Sequence, residues 1–426
     1  MKRYGGKLLS GVLLLWGFLF PSVSFSQEVS SPLASLVDEA LSRNPRVKAG
    51  ERQVAAVRQE LPQSWALDDP MFEFAVGNMM IDHVETRVGP QEEIYAFSQM
   101  VPFPLKLFQK YQIARAQVAV AQQELAMAER EVVRDVKKAY YELCWATASI
   151  AVLGEVRDLL QKMQSVAQAR YAGGRGGQRD VAKAQVELSM TYERLYQYEQ
   201  QRQVKLAQLR QLMNRSGDEK IIAAVELLPP QLKPTLPELL ALAKTERPDI
   251  LKLTQEEKRQ KEEIKLAKLG YAPDLKVDYR YIGVEGGMTL SAEDGKDAKM
   301  VMLGVSVPLW LQKNNGAIGQ AHEKWRQTQE LLQEEKNRAE YEVRDALAQH
   351  TAAMQTVQLY LSSTLPQAKL ALSSDQSGYE AGTSDFLDLL DSSRSYLDVK
   401  LSYLKMVLDA WMAIAELERV VGRELL

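Results

Sequence analysis

From Leu105 to Arg170 the chain carries no proline and one glycine, Gly154, in a composition rich in Ala, Glu, Gln, Lys and Val. Such a stretch is helical by default. Leu125, Val132, Ala139, Ala146, Leu153, Leu160 and Ala167 recur at heptad spacing, with Val136, Leu143 and Ile150 filling the offset rows. That is the seam of a coiled coil. At about 1.5 Å per residue the helix is about 100 Å long, several times the diameter of an ordinary domain. A chain built on it spans distance.

The far end of this stretch is Tyr171-Ala-Gly-Gly-Arg-Gly-Gly-Gln-Arg-Asp180, whose glycines permit the positive φ that ends a helix and turns it back. Val181, Leu188, Leu195 and Leu209 then continue a heptad row to about Met213, giving a helical hairpin over about 105–213. A Gly-rich loop before a helix also suits phosphate, but no Gly-Lys-Ser/Thr follows the glycines and no strand precedes them.

The N-terminus reads as a secretory signal over residues 1–26. Lys2, Arg3 and Lys7 give a basic start, Leu8 to Phe20 a short apolar run, and Ser24-Phe25-Ser26 a small-residue cleavage site. The apolar run is short for a membrane anchor. Removing it takes three positive charges and no negative one, so the net charge of −3 becomes −6. A basic nucleic-acid face is not indicated. Cys144 is the only cysteine, so no intrachain disulfide forms, and its mid-helix place is that of a small packed residue.

The strongest organisational signal is an internal repeat. Asn44-Pro45 corresponds to Arg247-Pro248 and Pro70 to Pro273; Val101-Pro102 corresponds to Val307-Pro308; Tyr171, Gly174, Asp180 and Arg215 correspond to Tyr379, Gly382, Asp388 and Arg423. The spacing drifts only from 203 to 208 positions across the whole chain. We expect a first structural repeat at 27–225, a Pro-rich linker at 226–237 and a second repeat at 238–426. Each has a helical lead-in, two strand-like runs (about 71–101 and about 275–307) and a long hairpin, the second over about 316–422.

Alternation in the strand-like runs is clearest in Leu275-Lys-Val-Asp-Tyr-Arg-Tyr281, and Phe72, Phe74 and Val76 alternate with Glu73, Ala75 and Gly77. At about 8 to 10 residues the runs match tilted transmembrane strands. Alternation also arises in a soluble sheet on a core. The barrel is the preferred reading, because the helices are committed elsewhere. Four strands cannot close a barrel without costly edges in lipid, so several protomers must pool theirs. Trp65, Phe103 and Trp310 flank the periplasmic strand ends, where either an aromatic girdle or ordinary packing accounts for them. Met79 to Glu92 and Glu285 to Ala298 are the expected outer loops.

The repeated order, with Tyr-x-x-Gly followed six residues after the Gly by Asp, resembles the TolC-like outer-membrane efflux protein family. Tyr379-Glu-Ala-Gly-Thr-Ser-Asp-Phe-Leu-Asp-Leu-Leu-Asp391 is its most specific local match. Ala66-Leu-Asp-Asp-Pro-Met71 and Val101-Pro-Phe-Pro-Leu-Lys106 look like the branch serving heavy-metal efflux pumps. The resemblance implies a mainly α fold with a transmembrane β part: a homotrimer whose four strands per protomer make a twelve-stranded barrel in outer-membrane lipid, continued by a periplasmic twelve-helix barrel. It implies a passive duct for small solutes, heavy-metal ions among them, supplied by a proton-driven inner-membrane transporter through a periplasmic adaptor. A type I secretion duct shares this architecture. A periplasmic adaptor protein would instead show one hairpin and soluble β domains.

No catalytic constellation, cofactor motif or nucleotide site is visible. Met79, Met80 and His83 could touch a soft metal ion, although loop composition accounts for them equally. Asp388 and Asp391 share a helix face just after the second hairpin turn, where the macrodipole favours carboxylates in any case. By resemblance they match an aspartate pair ringing the periplasmic entrance, which threefold repetition would turn into a cation-attracting constriction. Asp180 matches the acidic position of the first repeat, and Tyr379 a tyrosine that helps hold the closed state. The family's basic gate partner stands where this chain has Ser384, so the closed state is expected to be held differently. Pro366 should bend the second long helix, and since its counterpart is Asp158 the two hairpins should curve differently.

Overall fold

The computed structural model describes residues 32–77, 92–217, 221, 227–286 and 295–426. The expected signal segment, Met79, Met80, His83 and most of both expected outer loops lie outside the described residues.

Each lead-in breaks where its proline demands. Helices α1 (Pro32–Arg43) and α2 (Pro45–Arg58) meet at Asn44, whose side chain accepts from the Arg46 N–H at 2.8 Å while Pro45 starts α2. A short α3 (Glu60–Trp65) follows. In the second half α6 (Leu236–Glu246) and α7 (Pro248–Lys268) meet at Arg247. The linker region is tied down by Trp411, whose indole N–H donates to the Leu228 carbonyl at 2.8 Å.

The first hairpin is α4 (Pro104–Ala172), 69 unbroken residues, with α5 (Gln178–Leu212). The second is α8 (Leu311–Leu359), a π-helical turn (Tyr360–Thr364), α9 (Leu365–Ala381) and α10 (Phe386–Val421). Pro366 cannot donate to the Ser362 carbonyl, and the wider π turn absorbs the misfit. At Asp158 the first hairpin runs on without a break.

The heptad seam of α4 is buried from Val132 to Ala167. One end of it, with Val136, Leu143 and Cys144, packs on Leu209, Val407 and Leu408; the other, from Leu153 to Ala167, packs on Ala184, Leu389 and Leu397. So α4 serves α5 of its own hairpin and α10 of the other. Cys144 is a packed core residue.

Strands β1 (Met71–Gly77), β2 (Glu92–Val101), β3 (Leu275–Val284) and β4 (Ala298–Val305) form one antiparallel sheet in that order, joined between the halves by β2 and β3. The register Phe72↔Phe97↔Tyr279↔Val301 puts the aromatic and aliphatic side chains on one face. Ser98↔Asp278↔Met302 marks the polar face. In a soluble sheet the apolar face would be covered. Here Phe72 is 77% and Leu303 69% exposed, whereas Asp278, in the middle of the opposite face, is 5% exposed. Trp310 and Trp65 are also exposed, and Trp65 lies edge-on to Phe108 at 6.4 Å.

Strand and helix meet at a fixed corner. Asp274 accepts from the Phe103 N–H at 2.9 Å and from the Lys106 ammonium at 2.8 and 2.9 Å, which holds its carboxyl below the usual range despite partial burial.

Candidate gate at the hairpin tips

The two hairpin turns lie together, and glycine makes each of them. Gly174 and Gly382 hold positive φ, at 66° and 80°. In the second turn Thr383 N–H bonds back to the Gly378 carbonyl at 2.8 Å, and Asp385 caps α10 by accepting from the Phe386 N–H at 2.7 Å. A Cβ on Gly378 would stand 2.2 Å from the Ser384 hydroxyl and 3.0 Å from its Cβ, so any larger residue there would have to push Ser384 aside. Ser384 is therefore turned against its own hairpin.

Tyr379, at the end of α9, is 5% exposed and packs on Phe386 with ring centroids 5.4 Å apart. The Arg170 guanidinium, from the last turn of α4, lies 4.2 Å above its ring centroid. The same group donates to the Tyr379 carbonyl and, at 3.3 Å, to that of Glu380. Burial raises the Tyr379 hydroxyl pKa; Arg170 opposes the rise and Asp180 reinforces it. Tyr379 and Asp180 are thus within electrostatic reach of each other, with Arg170 between the hairpins as the clamp.

Asp388 and Asp391 are exposed and line a groove of about 610 Å³ between α5 and α10. They do so beside Arg179, Lys183 and Arg394, so the pair shares its groove with three cations. Arg394 is held in turn by Glu187 of α5, to which its Nε donates at 2.7 Å. Nearby, Arg194 pairs with Asp398 at 2.9 Å and Lys400 with Glu155 at 2.5 Å. All three pairs join the first hairpin to α10.

Sequence reasoning named Asp388, Asp391, Asp180 and Tyr379 as candidates and did not name Arg170, Glu187 and Arg394, which the structure places beside them. A basic residue directly before the first repeat's Tyr171 was the available signal for Arg170. Nothing in a helical sequence says which neighbouring helix a charge will meet, so the Glu187–Arg394 pair left no trace. Among the described residues no group of three or more His, Cys, Asp or Glu side chains is placed to hold a metal ion. None of the described helices is long and apolar enough to cross a membrane.

The sequence profile of the Outer membrane efflux protein family matches residues 36–215 and 239–423, nearly all of both halves. The chain belongs to that family. It is accordingly an outer-membrane protein whose hairpins extend into the periplasm. The cobalt-zinc-cadmium resistance protein CzcC of Cupriavidus metallidurans is 22% identical over 325 residues, covering 71% of each chain. Among solved structures, the outer-membrane channel CusC superposes with a TM-score of 0.77 at 15% identity, covering 93% of both chains. The open state of the Neisseria gonorrhoeae MtrE outer membrane channel gives 0.75 at 19% identity, over 92% of this chain and 89% of that one. These likenesses establish the fold: mainly helical, with a small antiparallel sheet.

Proposed function

We propose that three copies of this chain pool their strands into a twelve-stranded barrel and their hairpins into a twelve-helix barrel, forming a passive export duct. The observation that carries this reading is the bare aromatic and aliphatic face of the sheet, with Phe72 and Leu303 largely exposed, and with β1 and β4 unpaired at its edges among the described residues. In lipid such edges must be paired. Exposed apolar residues on α5 (Val186, Met190, Tyr196) and on the α8–α9 arm (Leu359, Leu361, Leu370) offer the matching helical seam.

The duct works as one component of three, with a periplasmic adaptor and a proton-driven inner-membrane pump that supplies the energy. Its cargo is heavy-metal ions, a reading supported by the likeness to CzcC, whose name is that of a metal-resistance protein. Asp388, Asp391, Asp180 and Tyr379 form the periplasmic constriction. Arg170 holds it shut in the role that the position of Ser384 leaves vacant, and opening requires the Arg170 clamp and the Glu187–Arg394 pair to part. Deleting the gene should sensitise the cell to divalent or monovalent metal ions. Unchanged metal tolerance alongside lost resistance to organic compounds would reject the metal assignment.

A further inference from the structure

The apolar surface of the second half does not stop where the sheet stops. On the bare face β4 presents Lys299, Val301, Leu303 and Val305 at every second residue. The strand ends at Val305, yet Val307, Leu309, Trp310 and Leu311 are exposed as well, Leu309 at 73% and Trp310 at 79%. The backbone holds them there. Ser306 donates its N–H to the Asp274 carbonyl at 2.9 Å and accepts from the Asp274 N–H at 2.8 Å, which fastens the segment to the foot of β3. The N–H groups of Leu309 and Leu311 then bond back two residues, to the Val307 and Leu309 carbonyls at 2.9 and 3.0 Å, tight turns of the kind found at strand ends. Four large apolar side chains on a tied backbone mark a surface that something covers.

The height of the apolar band identifies the cover. At its outer end the bare face turns polar with Lys299 and Glu93, and Glu93 and Asp297 accept from the hydroxyls of Tyr95 and Tyr281. From Lys299 to Val305 the strand runs about 20 Å, which at a tilt of about 40° gives about 15 Å of height, whereas the apolar band of an outer-membrane barrel is about 25 Å tall. Continuing to Leu309 and Trp310 adds about 10 Å and completes it. Exposed Lys313 follows in the first turn of α8. An indole followed by a lysine suits the membrane–water interface, where the ring lies at headgroup level and the ammonium reaches out to phosphate. Were a second copy to cover these residues instead, the band would fall short of the bilayer.

We propose that the periplasmic boundary of the membrane lies on the first turn of α8 and not at the end of the sheet, with Val307, Leu309, Trp310 and Leu311 seated in phospholipid of the periplasmic leaflet. The inference rests on the barrel reading and sets the depth at which the barrel sits.

The test places nitroxide labels on the full-length mature protein in phospholipid vesicles, with Cys144→Ala as background and Leu303→Cys, Leu309→Cys, Trp310→Cys or Gln320→Cys as single sites. Dissolved oxygen reports lipid and a water-soluble nickel chelate reports water. Labels at 309 and 310 should be relaxed by oxygen as strongly as the label at 303, and several-fold less by nickel than the label at 320. Relaxation by nickel equal to that at 320 would place these residues in water and overturn the boundary. Shielding from both reagents would show that a second copy covers them, and would overturn it equally. If 303 lies in lipid and 309 and 310 do not, only the boundary is lost. If 303 itself is relaxed by nickel as 320 is, the barrel reading falls with it.

Discussion

The two halves of the chain repeat one order of elements yet solve two local problems differently. At the first lead-in junction Asn44 caps α2 and donates to the Leu212 carbonyl at 2.7 Å, which needs one small polar residue. At the matching place Arg247 is fully buried between Asp249, Glu335 and Glu342, at 3.2, 2.8 and 2.9 Å. In the hairpins the first arm is an unbroken helix, and the second is interrupted by a π turn before Pro366. The first half carries an uninterrupted helical arm; the second carries a buried charge cluster and a π-helical interruption. A repeat shared in sequence thus need not be shared in mechanics.

The junctions should show the largest contrast. Arg247→Ala leaves Glu335 with Arg338 alone and Glu342 with Arg419 alone and should cost about 3 kcal/mol in denaturant unfolding, the low end for a broken buried pair, against about 1 kcal/mol for Asn44→Ala. Equal losses would erase the distinction. Next come the hairpins. Asp158→Pro should cost about 3 kcal/mol by breaking α4, whereas Pro366→Ala should leave stability nearly unchanged and reduce open-channel occupancy in planar bilayers. Both hairpins displaced equally in an open structure would show that the π-helical interruption does not direct the motion.

At the tip the expected change is in conductance. Arg170→Ala removes the cover over Tyr379 and two bonds to α9, an effect of about 1–2 kcal/mol, and should raise conductance. Asp388→Ala with Asp391→Ala should lower cation preference. No change in conductance or selectivity for either variant would remove these residues from the gate.

The smallest effect concerns acid. His350 is buried on α8 with no hydrogen-bond partner at Nε2, and burial holds its pKa below the usual 6.5. The unfolded chain therefore takes up its proton first, and stability should fall as pH drops below 6.5 toward the lower folded value. In His350→Leu that part of the slope should vanish, as read by thermal unfolding across pH.

Much of the fold was legible because it is periodic. Leu125 to Ala167 fixed the long helix, Pro45 and Pro248 fixed the lead-in breaks, and alternation around Leu275–Tyr281 gave the strands together with their faces. Pro366 announced an interruption, though not that a π turn would absorb it. The site was half legible. Asp388 and Tyr379 sit in a local motif, but Arg170 acts across 209 positions and Glu187 across 207. Such pairs depend on which helices become neighbours, and α4 could have given its seam to α5 alone.

The central claim is that exposed apolar staves from several copies seal a cylinder in lipid. Its most direct test is the molar mass of the purified mature protein in detergent, by light scattering corrected for bound detergent. The account predicts three chains per particle, with aggregation once detergent is removed. A monodisperse single chain that stays soluble without detergent would contradict it.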